Sequence, residues 1–100
     1  MITLSPKDPA EVISLTFDYA AILSGGETVA SVSVSLAVRN GADPDVGTML
    51  AGGAIIDGNV VSHLVRNGVH GVDYLAACLA TTSQGQVLKI AGILPARTQA

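Results

Sequence analysis

Ala30-Ser31-Val32-Ser33-Val34-Ser35-Leu36-Ala37-Val38 alternates without a break. Val32, Val34, Leu36 and Val38 fall on one face; Ser31, Ser33, Ser35 and Ala37 fall on the other. A period of two is the period of a β-strand, here with one apolar face and one wet face. The stretch before it has the same period. Ile13, Leu15, Phe17, Tyr19, Ala21 and Leu23 share one side, and Val12, Ser14, Thr16, Asp18 and Ala20 the other. Between the two lies Ser24-Gly25-Gly26-Glu27, whose glycines suit the turn of an antiparallel pair. Residues 11–23 and 27–39 therefore read as one long hairpin.

Working outward, Asn40-Gly41-Ala42-Asp43-Pro44-Asp45 has the composition of a loop. Val46 to Ala51 reads as a short strand interrupted by Gly52-Gly53, and Asp57-Gly58 as a tight turn after Ala54-Ile55-Ile56. Val61, His63 and Val65 alternate with Val60, Ser62 and Leu64. Asn67-Gly68 and His70-Gly71 mark the next turn. Ala76, Ala77 and Ala80 favour helix by propensity. The turn residues on both flanks of 72–82 favour a strand, with Val72, Tyr74, Ala76, Cys78 and Ala80 on one side. A last strand runs from Val87 to Leu94 and stops at Pro95. About seven short strands with a turn every 8–12 residues or so predict an all-β fold. The expectation is a single antiparallel β-sandwich over 11–95, an N-terminal arm over 1–10 and a tail over 96–100.

The composition fits one domain. The chain has 100 residues, 49% of them hydrophobic and 13% charged, with a net charge of −3. Its mean hydropathy is +0.53. Soluble domains carry roughly 25% charge, so this surface is weakly charged. High apolar content excludes a disordered chain. Five Lys+Arg make no basic stripe for phosphates, so no nucleic-acid partner is expected. No apolar run approaches the roughly 20 residues of a membrane span, so no membrane partner is expected either. The N-terminus lacks the basic start and long apolar core of a signal peptide, so synthesis in a cytoplasm is expected.

Little in the sequence points to catalysis. His63 falls in mid-strand and His70 in a turn, and neither has an evident partner for acid–base work. Cys78, the one cysteine, sits among Ala76, Ala77 and Leu79 and reads as a small buried hydrophobe. Asp43 and Asp45 flank Pro44, but a calcium ion collects about six to eight oxygens. Asp8 and Glu11 read as capping residues at a strand entrance. Lys7 and Lys89 read as solubilising charges. Tyr74 fits either a hydrogen bond to a neighbouring loop or plain core. It precedes Cys78 by four residues, not the two of immunoglobulin domains. No Gly-Lys-Ser/Thr follows Gly25-Gly26 or Gly52-Gly53, so neither is a phosphate loop. No enzyme activity, cofactor or metal is expected.

Several fragments recur in a recognisable order. They are Lys7-Asp8-Pro9, Leu15-Thr16-Phe17-Asp18-Tyr19, Gly26-Glu27-Thr28-Val29-Ala30-Ser31, Gly68-Val69-His70-Gly71-Val72-Asp73-Tyr74 and Thr81-Thr82-Ser83-Gln84-Gly85-Gln86. This series, over roughly residues 7–90, resembles a group of small virion proteins of tailed bacteriophages. Those proteins are hypothetical or fibre-like structural proteins of immunoglobulin-like β-sandwich form. The chain departs from the group's pattern at Gln86, where arginine is usual, and at Tyr19, where tryptophan is usual. The resemblance implies a phage virion structural protein: a capsid decoration, a head–tail or neck attachment, or a fibre-base component.

Two segments are apolar on both faces: 54–66, through Ile55, Ile56, Val60, Val61, Leu64 and Val65, and 86–94, through Val87, Leu88, Ile90, Ile93 and Leu94. Such strands are either central in a sheet stack or covered by another subunit. The expected partners are copies of the chain itself, or a phage capsid, portal-neck or tail protein. Ile2, Leu4, Ile55 and Ile56 are the candidate docking residues, with the arm able to add a strand to a neighbour's sheet. The alternative reading is a small carbohydrate- or ligand-binding sandwich, which would need exposed aromatic rings. The chain has only Phe17, Tyr19 and Tyr74.

Overall fold

Residues 2–23 and 25–98, described by a computed structural model, form seven strands in two sheets. They are β1 (Ile2–Thr3), β2 (Ile13–Asp18), β3 (Val29–Asn40), β4 (Leu50–Asp57), β5 (Val60–Val65), β6 (Asp73–Thr82) and β7 (Val87–Pro95). One sheet has the order β1-β7-β6-β3 and the other β2-β5-β4. Every pairing is antiparallel except the two-residue contact of β1 with β7. The all-β antiparallel sandwich expected from the alternation is the fold found.

The inner faces follow the sequence pattern. Leu15 and Phe17 of β2, Val61, His63 and Val65 of β5, and Tyr74, Ala76, Cys78 and Ala80 of β6 are all buried. The alanines of β6 belong to a strand, because β6 is hydrogen-bonded to β3 on one side and β7 on the other. Tertiary pairing overrides a weak helical propensity. Asp57 pairs with Val60, so Gly58-Asn59 makes the tight β4–β5 turn, with Gly58 at φ 61°.

The long hairpin is corrected. β2 pairs with β5 and β3 with β6, so the two alternating stretches lie in different sheets. Residues 19–28 are too long for a tight hairpin loop, and Tyr19 turns inward at their start. It is fully buried, and its hydroxyl donates to the Cys78 carbonyl at 2.7 Å, across the sandwich on β6. The amides of Ile22 and Leu23 donate back to the Tyr19 carbonyl, bending the chain toward the other sheet. Of the expected turn, Ser24 lies outside the described residues. A second correction concerns 46–57. Val46–Thr48 form a 3-10 turn, and a single strand, β4, continues through Gly52-Gly53 with its register broken between Ala51 and Ile55. Glycine tolerates such a break, and Gly52 sits at φ 72°.

At the far end of β6 a polar knot closes the sandwich. The Glu27 side chain is buried and accepts a hydrogen bond from the Thr82 hydroxyl. Gln86, with its amide nitrogen toward the carboxylate, donates to both Glu27 oxygens at 3.1 and 3.2 Å. The Ser83 amide donates to the Thr28 carbonyl at 2.8 Å, and the Thr28 amide to the Ser83 hydroxyl at 3.0 Å. Gly26-Glu27-Thr28 and Thr81-to-Gln86 are thus two halves of one joint.

Tyr19→Phe keeps the ring and removes the cross-sheet hydrogen bond. Leaving a buried carbonyl with one partner fewer costs about 1–3 kcal/mol. Urea unfolding should show that loss as a lower midpoint with an unchanged slope.

Candidate docking surfaces

The opposite end of the sandwich is built on Lys7. Its amide donates to the Pro95 carbonyl and its own carbonyl accepts from the Arg97 amide, both at 2.9 Å. These bonds lay residues 7 and 96 side by side. The side chain is fully buried, and Nζ donates to the carbonyls of Asp8 at 2.8 Å and Asn67 at 2.9 Å. Lys7 is therefore no solubilising surface charge but a clasp between Lys7-Asp8-Pro9 and the 66–72 loop. Burial pulls its pKa below the usual lysine value, against the opposing pull of the Glu11 and Asp8 carboxylates. Asp8 and Glu11 cap the turn as expected: Oε1 of Glu11 accepts from the Asp8 amide and Oδ1 of Asp8 from the Ala10 amide, each at 2.8 Å.

Asn67 takes φ 60°, a left-handed conformation that asparagine tolerates, and Gly68 follows at φ 105°. A Cβ on Gly68 would lie 3.3 Å from Cε of buried Met49. Tyr74 fits both of its expected roles, since it is fully buried and bonded to two loops. Its hydroxyl donates to Oδ2 of Asp43 at 2.7 Å and accepts from the Val69 amide at 2.8 Å. Burial, then the Asp43 hydrogen bond, push its pKa up to about 12.

These bonds occupy the groups that might otherwise do chemistry. Oδ1 of Asp43 accepts from the Asp45 amide at 2.9 Å, so both its oxygens are engaged. Asp43 and Asp45 line a cleft of about 300 Å³ with Thr48 and Asn67. Among the described residues no three His, Cys, Asp or Glu side chains come together in a metal-binding group. His63 lines the inner face of β5 with Nδ1 at 2.9 Å from the Leu64 carbonyl. His70 is exposed, and its Nδ1 accepts from the Thr98 amide at 2.9 Å. Cys78 is buried, and burial pushes its thiol pKa up. Phe17, Tyr19 and Tyr74 are all buried, which leaves no aromatic platform for stacking on a sugar.

The candidate docking residues lie at two opposite edges. The segment read as an arm lies against its own domain: Ile2 pairs with Gly92, Thr3 with Ile93, and the Leu4 amide donates to the Ile93 carbonyl at 2.7 Å. Met1, the Ile2 side chain, Gln99 and Ala100 lie outside the described residues. Leu4 lines an apolar cleft of about 280 Å³ between the sheets, with Ile13, Phe17, Ile90 and Gly92. Ile55 and Ile56 are on β4, at the other edge. Ile55 faces outward opposite Ser62 and is 61% exposed; Ile56 points inward opposite Val61 and is still 40% exposed. Central placement explains part of the two-faced apolar pattern, since β5 and β7 are interior strands and bury Val61, Val65 and Leu94. It leaves Ile55, Leu64 and Val87 uncovered.

The family model described as podophage GP4 fiber-tail adaptor protein gp77 matches residues 7–94. The chain belongs to that family. No curated protein shows significant similarity to it. Family membership makes the chain a structural protein of a tailed-phage virion, with tail or fibre proteins as its partners. None of the described helical segments is long and apolar enough to cross a membrane. The matched range begins at Lys7, the first residue of the clasp, and takes in the Glu27–Thr82–Gln86 joint.

Tyr74 makes the fold sensitive to alkali. Its folded pKa lies above the value near 10 of an unfolded tyrosine, so its stabilisation is complete below pH 10 and is lost as pH rises toward 12. Tyr19, raised by burial, acts in the same sense. Stability should fall by about 1.4 kcal/mol per pH unit for each tyrosine in that window. Chemical denaturation at pH 10, 11 and 12 should show a shallower fall in Tyr74→Phe than in the wild type. Gly68→Ala should lower the melting temperature at neutral pH, because φ 105° strains an L side chain, at a cost of about 1–3 kcal/mol.

Proposed function

We propose that this chain is a non-enzymatic adaptor that seats a fibre on a podophage tail, as a rigid sandwich present in several copies. The observation that carries the reading is the family match over residues 7–94, which spans β2 to β6 and nearly all of β7. The family's description names a link between fibre and tail, and favours that position over capsid decoration or the neck. A link needs a stiff body with more than one contact surface. The Lys7 clasp and the Glu27 joint at opposite ends support stiffness. Leu4 at one edge and Ile55 and Ile56 at the other support two contact surfaces, and with Ile2 they are the proposed docking residues. Four and three strands in two sheets support the immunoglobulin-like reading of the sandwich. The place of action is the virion, after synthesis in the host cytoplasm.

Particles made without this chain should carry complete heads and tails but lack fibres, and adsorption to host cells should fall. Adding the purified chain together with fibre protein should restore both. Fibres present at normal number on the deletion particles, seen by electron microscopy, would overturn the adaptor role.

A further inference from the structure

The tetrapeptide Val-Arg-Asn-Gly occurs twice in the chain, as Val38-Arg39-Asn40-Gly41 and as Val65-Arg66-Asn67-Gly68. Asparagine followed by glycine is prone to cyclise, because no Cβ hinders the glycine nitrogen as it attacks the side-chain amide carbon. The local sequence is the same at both places, so a difference in reactivity comes from the fold. Asn40 ends β3 and pairs with Asp73, and a Cβ on Gly41 would lie 3.0 Å from Cγ2 of Val72. Asn67 is exposed in its left-handed turn, and its side-chain nitrogen makes one long hydrogen bond, 3.4 Å to the Thr48 hydroxyl. Among the described residues no acceptor holds the Gly68 amide. Asn67 and Gly68 both line the cleft of about 300 Å³.

The larger difference is a cation. Nζ of Lys7 donates at 2.9 Å to the Asn67 carbonyl, which is the oxygen of the Asn67–Gly68 peptide itself. Neither lysine serves Asn40, since Lys7 is engaged here and Lys89 lies opposite Leu79. Burial pulls the Lys7 pKa down, and the Glu11 and Asp8 carboxylates oppose that pull and favour the ammonium.

We propose that Asn67-Gly68 is a self-modification site, activated by the buried Lys7 ammonium. The reaction begins when the Gly68 N–H gives its proton to hydroxide. The charge of the resulting imidate rests largely on the Asn67 carbonyl oxygen, where the ammonium already sits. A preplaced cation stabilises a developing oxyanion, and more strongly away from water. Each pKa unit taken off the Gly68 N–H raises the imidate population about tenfold at neutral pH. The Gly68 nitrogen then attacks Cγ of Asn67. The N–Cγ bond forms as the Cγ–Nδ2 bond breaks, and Nδ2 leaves as ammonia with a proton from water. Water opens the cyclic imide at either carbonyl. Breaking the bond from the Gly68 nitrogen to Cγ leaves aspartate. Breaking its bond to the main-chain carbonyl leaves isoaspartate, whose main chain runs through Cγ. Aspartate puts a negative charge beside the Lys7 contact, and isoaspartate lengthens the main chain at the bonded carbonyl. The site therefore sets a lifetime on the tie between Lys7-Asp8-Pro9 and the 66–72 loop. It does not rest on the adaptor reading.

Tryptic mapping of the full chain tests it. Cleavage after Arg39 and Arg66 gives one peptide beginning at Asn40 and another beginning at Asn67. Mass spectrometry over a time course scores each for exchange of its amide for a carboxyl. In guanidinium chloride both sites should react at one common rate. In the folded chain Asn67 should exceed that rate about tenfold or more, and Asn40 should fall below it. Lys7→Met keeps the apolar stem without the cation and should bring Asn67 down to the common rate or lower. Should that variant fail to fold, hydrogen exchange at the Gly68 amide of the wild type decides, because the base-catalysed route passes through the same imidate. The Gly68 amide should exchange about tenfold or more faster than in a capped Val-Arg-Asn-Gly-Val peptide. Three results each overturn the proposal: an Asn67 rate in the folded wild type at or below the common rate, an Asn67 rate unchanged in folded Lys7→Met, or Gly68 exchange no faster than in the peptide.

Discussion

The core of this sandwich is thin, and that constraint shapes everything around it. Beyond Tyr74, the central strand β6 offers only the small side chains Ala76, Cys78, Ala80 and Thr82 to the inside. Small side chains bury little area, and a domain of 100 residues buries only about 60–70% of its unfolded surface. Tyr19 compensates from the opposite sheet. It reaches over the gap left by the small residues and fixes its hydroxyl on the Cys78 carbonyl. A tryptophan would fill the space, but its indole N–H leaves in another direction from the ring. The tyrosine combines apolar area with a hydrogen bond, so one side chain sets both the spacing and the lateral position of the two sheets.

A thin core also explains why both ends are tied by polar groups. At one end a lysine ammonium is buried on two backbone carbonyls, and at the other a carboxylate is buried on a hydroxyl and an amide. Buried charge is costly without partners, and each is held by hydrogen bonds. Both ties join segments distant in sequence, residue 7 to 67 and residue 27 to 82. They hold the chain where the strands cannot, at the loops between sheets. Arginine in place of Gln86 would stand next to the Glu27 carboxylate; this chain places an amide there.

The strands were legible because alternation is local. Val32 to Val38 and Val61 to Val65 declare their inner faces within a few residues; the structure turns both inward, burying Val61, His63 and Val65 and leaving Val32, Val34, Leu36 and Val38 partly buried against the core. Pairing was not legible, because it is set by contacts far apart in sequence. Adjacent alternating strands looked like a hairpin, yet Tyr19 draws the intervening chain across the core. The role of Lys7 is hidden in the sequence for a related reason. A lone lysine beside Asp8 has the appearance of a surface charge, and only the fold brings the Asn67 carbonyl to its ammonium. The fragment Lys7-Asp8-Pro9 carried the signal, but its partner lay sixty residues away in the left-handed turn at Asn67-Gly68.

The pairing of β3 also bears on the docking surface. In a hairpin, β3 would have had β2 along one side and an ordinary place in a sheet. Separating the two leaves β3 at an edge with its regular register intact. Its serines then stop being the plain wet face of a strand. They leave the outer face of an edge strand uncharged, where edges are more often protected by charge. The docking residues chosen from hydrophobicity, Leu4, Ile55 and Ile56, mark where apolar area is left over. Hydrogen-bonding capacity left over along a strand is a different quantity, and hydropathy does not report it.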